Sequence, residues 1–109
     1  MSDNYHIIIS TEDSMTFEWD ENKNEINTKK HGVDFKEAST VFYDECAILF
    51  DDPDHSIEEE RFLLIGTSRT LKVLTVCHCI RDKEAIRIIS ARKATKTETK
   101  FYDQYGGKL

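Results

Sequence analysis

Arg87-Ile88-Ile89-Ser90-Ala91-Arg92-Lys93, with Thr95-Lys96-Thr97-Glu98 just after it, is the stretch that decides the fold. Its first half is rich in β-branched residues and reads as a strand. Its second half is a capping box, Thr95 with Glu98 three positions on, and opens a helix over about 96–105 that Gly106-Gly107 stops. Two arginines and a lysine stand within these seven strand residues. A guanidinium presents a fixed fork of donors suited to phosphate, and a strand end is a rigid mount for it. The stretch therefore points to a phosphate-handling surface, with nucleic acid as the foremost ligand.

Three more strands precede it. Cys46–Phe50 is a short apolar run closed by the turn signal Asp51-Asp52-Pro53-Asp54. Arg61–Thr67 and Leu71–Ile80 follow, and Ala85–Ala91 completes the set. Gly66–Thr70 and Arg81-Asp82-Lys83 are short enough to be hairpin turns, which makes an antiparallel meander of about four strands. Apolar residues lie on both faces, so helices must cover at least one of them.

Two helices come before the meander. Asp20 caps a helix over about 21–31, which ends in Lys29, Lys30 and His31, with Gly32 at the C′ position. Its apolar content is little more than Ile26, so most of it is expected to be exposed. Asp34 with Glu37 opens a second helix over about 35–43, carrying Phe35, Ala38, Val41 and Phe42 at helical spacing. The expected fold is α+β: two N-terminal helices, the meander, a C-terminal helix. Residues 1–14 read as an N-terminal extension, with Met15 as an alternative start and 15–109 as the single domain. The other reading makes Ile7–Ile9 an edge strand.

The 109 residues suffice for one compact domain, and 39% are hydrophobic. The net charge is −6, but it is unevenly spread. Residues 1–60 hold 17 acidic and 4 basic residues, a net of −13, while residues 61–109 hold 4 acidic and 11 basic, a net of +7. The basic half suits RNA or DNA and the acidic half suits a basic protein; the plainer reading is a solvated surface of interleaved charges. No run reaches the ~18 apolar residues needed to span a membrane. No basic n-region marks a signal peptide. Three cysteines, Cys46, Cys77 and Cys79, fit a reducing cytoplasm.

Strand alternation sharpens the cationic cluster. In a regular strand Arg87 and Arg92 have opposite parity, so they converge only through the bend at the strand–helix junction. In a meander Arg61 and Arg87 face one groove, about 10 Å apart at a strand spacing of ~4.8 Å. There they can grip RNA phosphates and stabilise charge at the cleaved one. The competing reading pairs Arg87 with an acidic neighbour such as Glu60 or Glu84. Metal-free RNA cleavage needs a base for the 2′-hydroxyl and an acid for the leaving oxygen. His31, at a helix C-terminus beside Lys29 and Lys30, and the carboxylates Glu60 and Glu98 are the candidates. His78, on a central strand, reads as structural, and His55 as solvated. Cys77-His78-Cys79 resembles a metal motif, but alternation turns His78 away from the two thiols. No metal or cofactor is expected, and no phosphate-binding loop or dinucleotide fingerprint is present. Nothing signals a DNA recognition helix.

Phe17-Glu18-Trp19-Asp20, Lys30-His31-Gly32-Val33, Phe35 to Ala38, Asp54-His55, Glu59-Glu60-Arg61-Phe62, Ile65-Gly66-Thr67-Ser68 and Arg87 to Thr95 resemble, in order and spacing, the BrnT toxins of bacterial type II toxin–antitoxin pairs. The resemblance spans about residues 16–105. It implies a RelE-like ribonuclease fold and a toxin that cleaves RNA without metal, restraining translation and growth. It also implies a BrnA-type antitoxin with a ribbon-helix-helix part, through which alone the pair meets operator DNA. On the same carry-over Arg61, Arg87 and Arg92 become the leading site residues, with Glu60 and His31 beside them and Lys93, Lys96 and Lys30 as RNA contacts. The alternative is an inactive interaction module or corepressor that only binds an antitoxin.

Overall fold

A computed structural model describes residues 5–9, 15–53, 59–81 and 85–107, with backbone alone at 5–9. The elements are β1 (Tyr5–Ile9), β2 (Thr16–Asp20), α1 (Glu21–His31), α2 (Phe35–Ser39) with a 3-10 turn (Thr40–Tyr43), β3 (Ile48–Asp51), β4 (Phe62–Thr67), β5 (Val73–Ile80), β6 (Ile86–Lys93) and α3 (Lys96–Tyr105). Asp54, His55, Glu84 and the Asp82-Lys83 turn lie outside the described residues.

The fold is α+β, and the expected meander β3-β4-β5-β6 is there, antiparallel throughout. The sheet is larger than expected and mixed. Its order is β1-β2-β6-β5-β4-β3, six strands rather than about four. β2 runs parallel to β6, Phe17 opposite Ile86 and Glu18 opposite Arg87. β1 pairs antiparallel with β2 at the edge, so the residues 5–9 are a strand of this sheet. Thr16–Asp20 alternates half-buried and buried positions, the signature of a strand with one wet face. The second helix is also shorter than expected: regular turns stop at Ser39, and residues 40–43 tighten into the 3-10 turn.

One sheet face holds the core. Phe17, Trp19, Leu64, Leu74, Val76, Ile86, Ile88 and Ala91 pack against Val33, Phe35, Ala38 and Val41. His78 shares this face, 3% exposed, edge-on to Phe42 at 4.8 Å. Burial lowers its pKa and keeps it neutral.

α1 attaches in an unusual way. Ile26 is 64% exposed, and the buried residues of the helix are Asn24 and Asn27. Asn27 Nδ2 donates to Val33 O at 2.9 Å and to Ala91 O at 2.8 Å, while its Oδ1 accepts from Ala91 N at 3.1 Å. β2 pairs with β6 only near Ile86 and Arg87, so this amide stands in for the missing strand beside Ala91. Asn24 Oδ1 accepts from Phe35 N at 2.9 Å and joins α1 to α2.

The second sheet face is divided. α3 covers one end: Tyr102 meets Thr67 at 3.0 Å and Phe101 lies 5.4 Å from Phe50. The other end carries Arg61, Cys77, Cys79 and Arg87 under a layer of charged side chains.

Candidate functional site

β6 contains one residue more than β5 opposes. Cys77 pairs with Ser90 and His78 with Ile88, which leaves Ile89 unpaired as a bulge. The bulge resets the alternation. Ile86, Ile88 and Ala91 all face the core, while Arg87, opposite Cys79, and Arg92, opposite Thr75, share the second face. The two arginines therefore share a face through an inserted residue and not through the terminal bend expected of a regular strand, but they stand opposite Cys79 and Thr75 and do not converge.

Arg87 has a carboxylate partner on β2. Its Nε and Nη2 both lie 2.7 Å from Glu18 Oε2. Glu18 is thus an acidic neighbour of the kind anticipated for Arg87, in place of Glu60, while Glu84 lies outside the described residues. Arg61, just before β4, directs Nε and Nη2 to Glu59 Oε1, each at 3.3 Å. Glu59 also accepts from Arg81 Nη1 at 2.9 Å and from Cys79 Sγ at 3.5 Å. Burial alone would raise the Glu59 carboxyl, but the bonds from Cys79, Arg61 and Arg81 outweigh it and hold the group below its ordinary value. Glu59 is thus a carboxylate at neutral pH, set between guanidinium groups.

Arg61, Arg87 and Glu59 line one depression together with Asp20, Lys23, Ile88 and Ile89. A second depression adjoins it, lined by Lys23, Ile26, Asn27, Lys30, His31, Ile89 and Ser90. Lys23 and the bulged Ile89 belong to both. The groove so formed brings together four of the residues expected from sequence: Arg61, Arg87, Lys30 and His31. Glu60 is exposed, and its neighbour Glu59 makes the contacts instead. Lys93 and Lys96 are exposed near the start of α3 and do not line the two depressions.

Arg92 lies further along the same face and is held by α3. It forms a two-pronged pair with Glu98, Nη1 to Oε1 at 2.8 Å and Nη2 to Oε2 at 3.0 Å. Glu98 also accepts from Thr75 Oγ1 at 2.8 Å and from Thr95 N at 2.9 Å, closing the expected capping box. The Arg92 bond, with those of Thr95 and Thr75, brings the Glu98 pKa down to about 2. With both oxygens taken up by Arg92, Thr75 and Thr95, Glu98 serves as the anion that ties α3 to the sheet.

Cys77 and Cys79 form the floor of this face. Cys77 Sγ donates to Asp52 Oδ2 at 3.5 Å, and burial followed by that carboxylate pushes the thiol up to about 11. His78 points the other way, so the three residues of the Cys-His-Cys run do not converge.

Glu59, Arg81, Lys23 and Glu18 escaped the sequence reading. Glu59 and Arg81 were within reach of alternation, since Glu59 stands two positions before Arg61 and Arg81 two after Cys79. Glu18 needed β2, a strand recognisable from the alternation of Thr16 to Asp20.

The fold and the groove define a class: a small α+β protein whose sheet mounts two arginines and a carboxylate in one depression. The profile of the BrnT family, described as "Ribonuclease toxin, BrnT, of type II toxin-antitoxin system", matches residues 19–98, and the chain belongs to that family. The crystal structure of the Brucella abortus ribonuclease toxin BrnT superimposes with a TM-score of 0.55 at 29% identity, covering 72% of this chain and 94% of that one. No curated protein matches the sequence at a significant level. The chain is accordingly a ribonuclease toxin of a type II toxin–antitoxin system, with an antitoxin as its partner. Among the described residues, no helix is long and apolar enough to cross a membrane.

Proposed function

We propose that the groove between Arg61, Arg87 and Glu59 is where RNA is cut, by attack of a 2′-hydroxyl on the adjacent phosphorus and without a metal ion. The carrying observation is the placement of the Glu59 carboxylate in one depression with Arg61 and Arg87. Glu59 accepts the 2′-hydroxyl proton as the 2′ oxygen bonds to phosphorus. Arg61 and Arg87 turn to the phosphoryl oxygens as charge builds there. The bond to the 5′ oxygen breaks and that oxygen takes a proton from His31, which lines the adjoining depression beside Lys30. The products are a 2′,3′-cyclic phosphate and a 5′-hydroxyl. Arg92, held to α3 through Glu98, reaches RNA that extends along the face from the groove towards Lys93 and Lys96. Glu60 has no part in the step.

The family and the basic C-terminal half support the remaining assignments: a RelE-like fold, action on RNA in the cytoplasm that restrains translation, and a BrnA-type antitoxin whose ribbon-helix-helix part binds operator DNA for the pair.

Cleavage of a labelled RNA by the purified chain tests the site. Glu59→Gln is expected to slow it by roughly 10²–10⁴-fold, and Arg61→Ala and Arg87→Ala by roughly 10²-fold each. Glu60→Gln and added EDTA should change nothing. Undiminished cleavage by both arginine variants would remove the site assignment. Absence of cleavage by the folded wild-type chain on any RNA would leave an antitoxin-binding module.

A further inference from the structure

The turn between β4 and β5 is built at odds with its own stability. Leu71 has φ 67°, in the left-handed region that a residue with a Cβ adopts at a cost and glycine adopts freely. It is also 83% exposed, so the strain is not offset by burial within the chain. The turn is nonetheless held firmly. Leu71 N donates to Ser68 O at 2.9 Å and Ser68 N to Lys72 O at 2.8 Å. Arg69 N donates to Thr40 Oγ1 at 2.8 Å. Glu37 accepts from Ser68 Oγ at 2.8 Å and from Thr70 Oγ1. The α2 segment thus fixes a strained loop that presents one large apolar side chain outwards. Arg69 and Lys72, both exposed, stand on either side of it, while the nearby Glu37 carboxylate is committed to the two hydroxyls.

We propose that Leu71 is an apolar knob with a basic collar, Arg69 and Lys72, that seats in an apolar socket edged by carboxylates on the antitoxin. Strain kept at an exposed position is expected where a partner supplies the compensation. An aliphatic knob suits a protein pocket better than RNA, whose bases are gripped by aromatic rings and guanidinium planes. The collar supplies the charge complementarity. The turn lies at the end of β4 away from Arg61, about 20 Å off at ~3.3 Å per residue, so the contact anchors the antitoxin beside the groove without plugging it. This rests on the chain's partnership with an antitoxin and is independent of where RNA is cut.

The test measures binding of the purified cognate antitoxin, RNA cleavage by the free chain, and thermal unfolding, for wild type, Leu71→Gly and the charge reversal Arg69→Glu with Lys72→Glu. Glycine fits the left-handed turn, so Leu71→Gly should melt no lower than wild type and cleave RNA equally well. Its antitoxin affinity should fall at least about tenfold, and the charge reversal should weaken binding and reduce its dependence on salt. Antitoxin affinity within twofold of wild type for both variants overturns the proposal. So does a loss confined to RNA cleavage, which would assign the turn to RNA. A wild-type chain that binds antitoxin but cuts no RNA, with Leu71→Gly still binding weakly, upholds the anchor and overturns the groove alone.

Discussion

Arg87 and Arg92 are five positions apart on β6 and yet share one face of the sheet, because Ile89 is an extra residue between them. A regular strand would send one of the two into the core, where an unpaired guanidinium costs several kcal/mol. Deleting Ile89 should therefore abolish cooperative unfolding, since either Arg87 or the Ala91–Arg92 end must change faces. Ile89→Ala keeps the backbone count and should lower the melting temperature by only a few degrees. Circular dichroism melts of the two variants check this. A folded, cooperative deletion variant would mean that the bulge can migrate along β6.

Asn27 and Ala91 form the second contact on which β6 depends. Asn27→Leu leaves Ala91 N and the carbonyls of Ala91 and Val33 without this partner, in a buried setting. At ~1–3 kcal/mol for each buried group left unsatisfied, the loss should be on the order of 3 kcal/mol, despite the greater apolarity of leucine. Asn27→Asp restores the acceptor but not the donor and should be no better. Urea denaturation gives the measure; a Leu variant as stable as wild type would show that water reaches these groups.

These two contacts also show where the sequence was legible. The Thr95–Glu98 box, Gly32 at the end of α1 with φ 72°, and the meander are local patterns, and the structure has each of them. The parallel pairing of β2 with β6 joins residues about 70 positions apart, which no local pattern encodes, so the expected sheet of about four strands lacks Thr16–Asp20. The bulge left no mark either: Ile88 and Ile89 are identical residues, with no glycine to signal it. Residue type points to Arg61 and Arg87, which line one depression, and alternation applied two positions back from Arg61 prefers Glu59 to Glu60. Asn27 was unreadable as an anchor because a helix with so little apolar surface looks merely solvated.

Glu98 links α3 to the sheet, and its titration should be visible in acid. Its folded pKa, about 2, lies below the ordinary carboxylate value of 4.5. Its contribution is therefore present above pH 4.5 and is lost as the pH falls towards 2. Glu98→Gln keeps an acceptor for Thr95 and Thr75 and removes the charge together with the oxygen that accepts from Arg92 Nη2. The variant should melt several degrees lower than wild type at neutral pH, and the difference should shrink steadily below pH 4.5 and vanish near pH 2. A gap that stays constant with pH would assign the effect to packing of α3.

The thiols report on the groove from beneath. Cys46 is exposed, whereas Cys77 and Cys79 are buried. Burial raises the Cys79 thiol, and the charge and hydrogen bond of Glu59 raise it further. At about pH 8 the thiolate is the species that alkylates, so iodoacetamide should label Cys46 quickly and leave the other two until the chain unfolds. Glu59→Gln removes the carboxylate over Cys79 and should speed alkylation there while leaving Cys77, which answers to Asp52, unchanged. Mass spectrometry of timed samples separates the three sites. Equal acceleration at Cys77 would indicate that the variant loosens the whole face, and slowed RNA cleavage by Glu59→Gln would then have to be read as lost structure rather than a lost base.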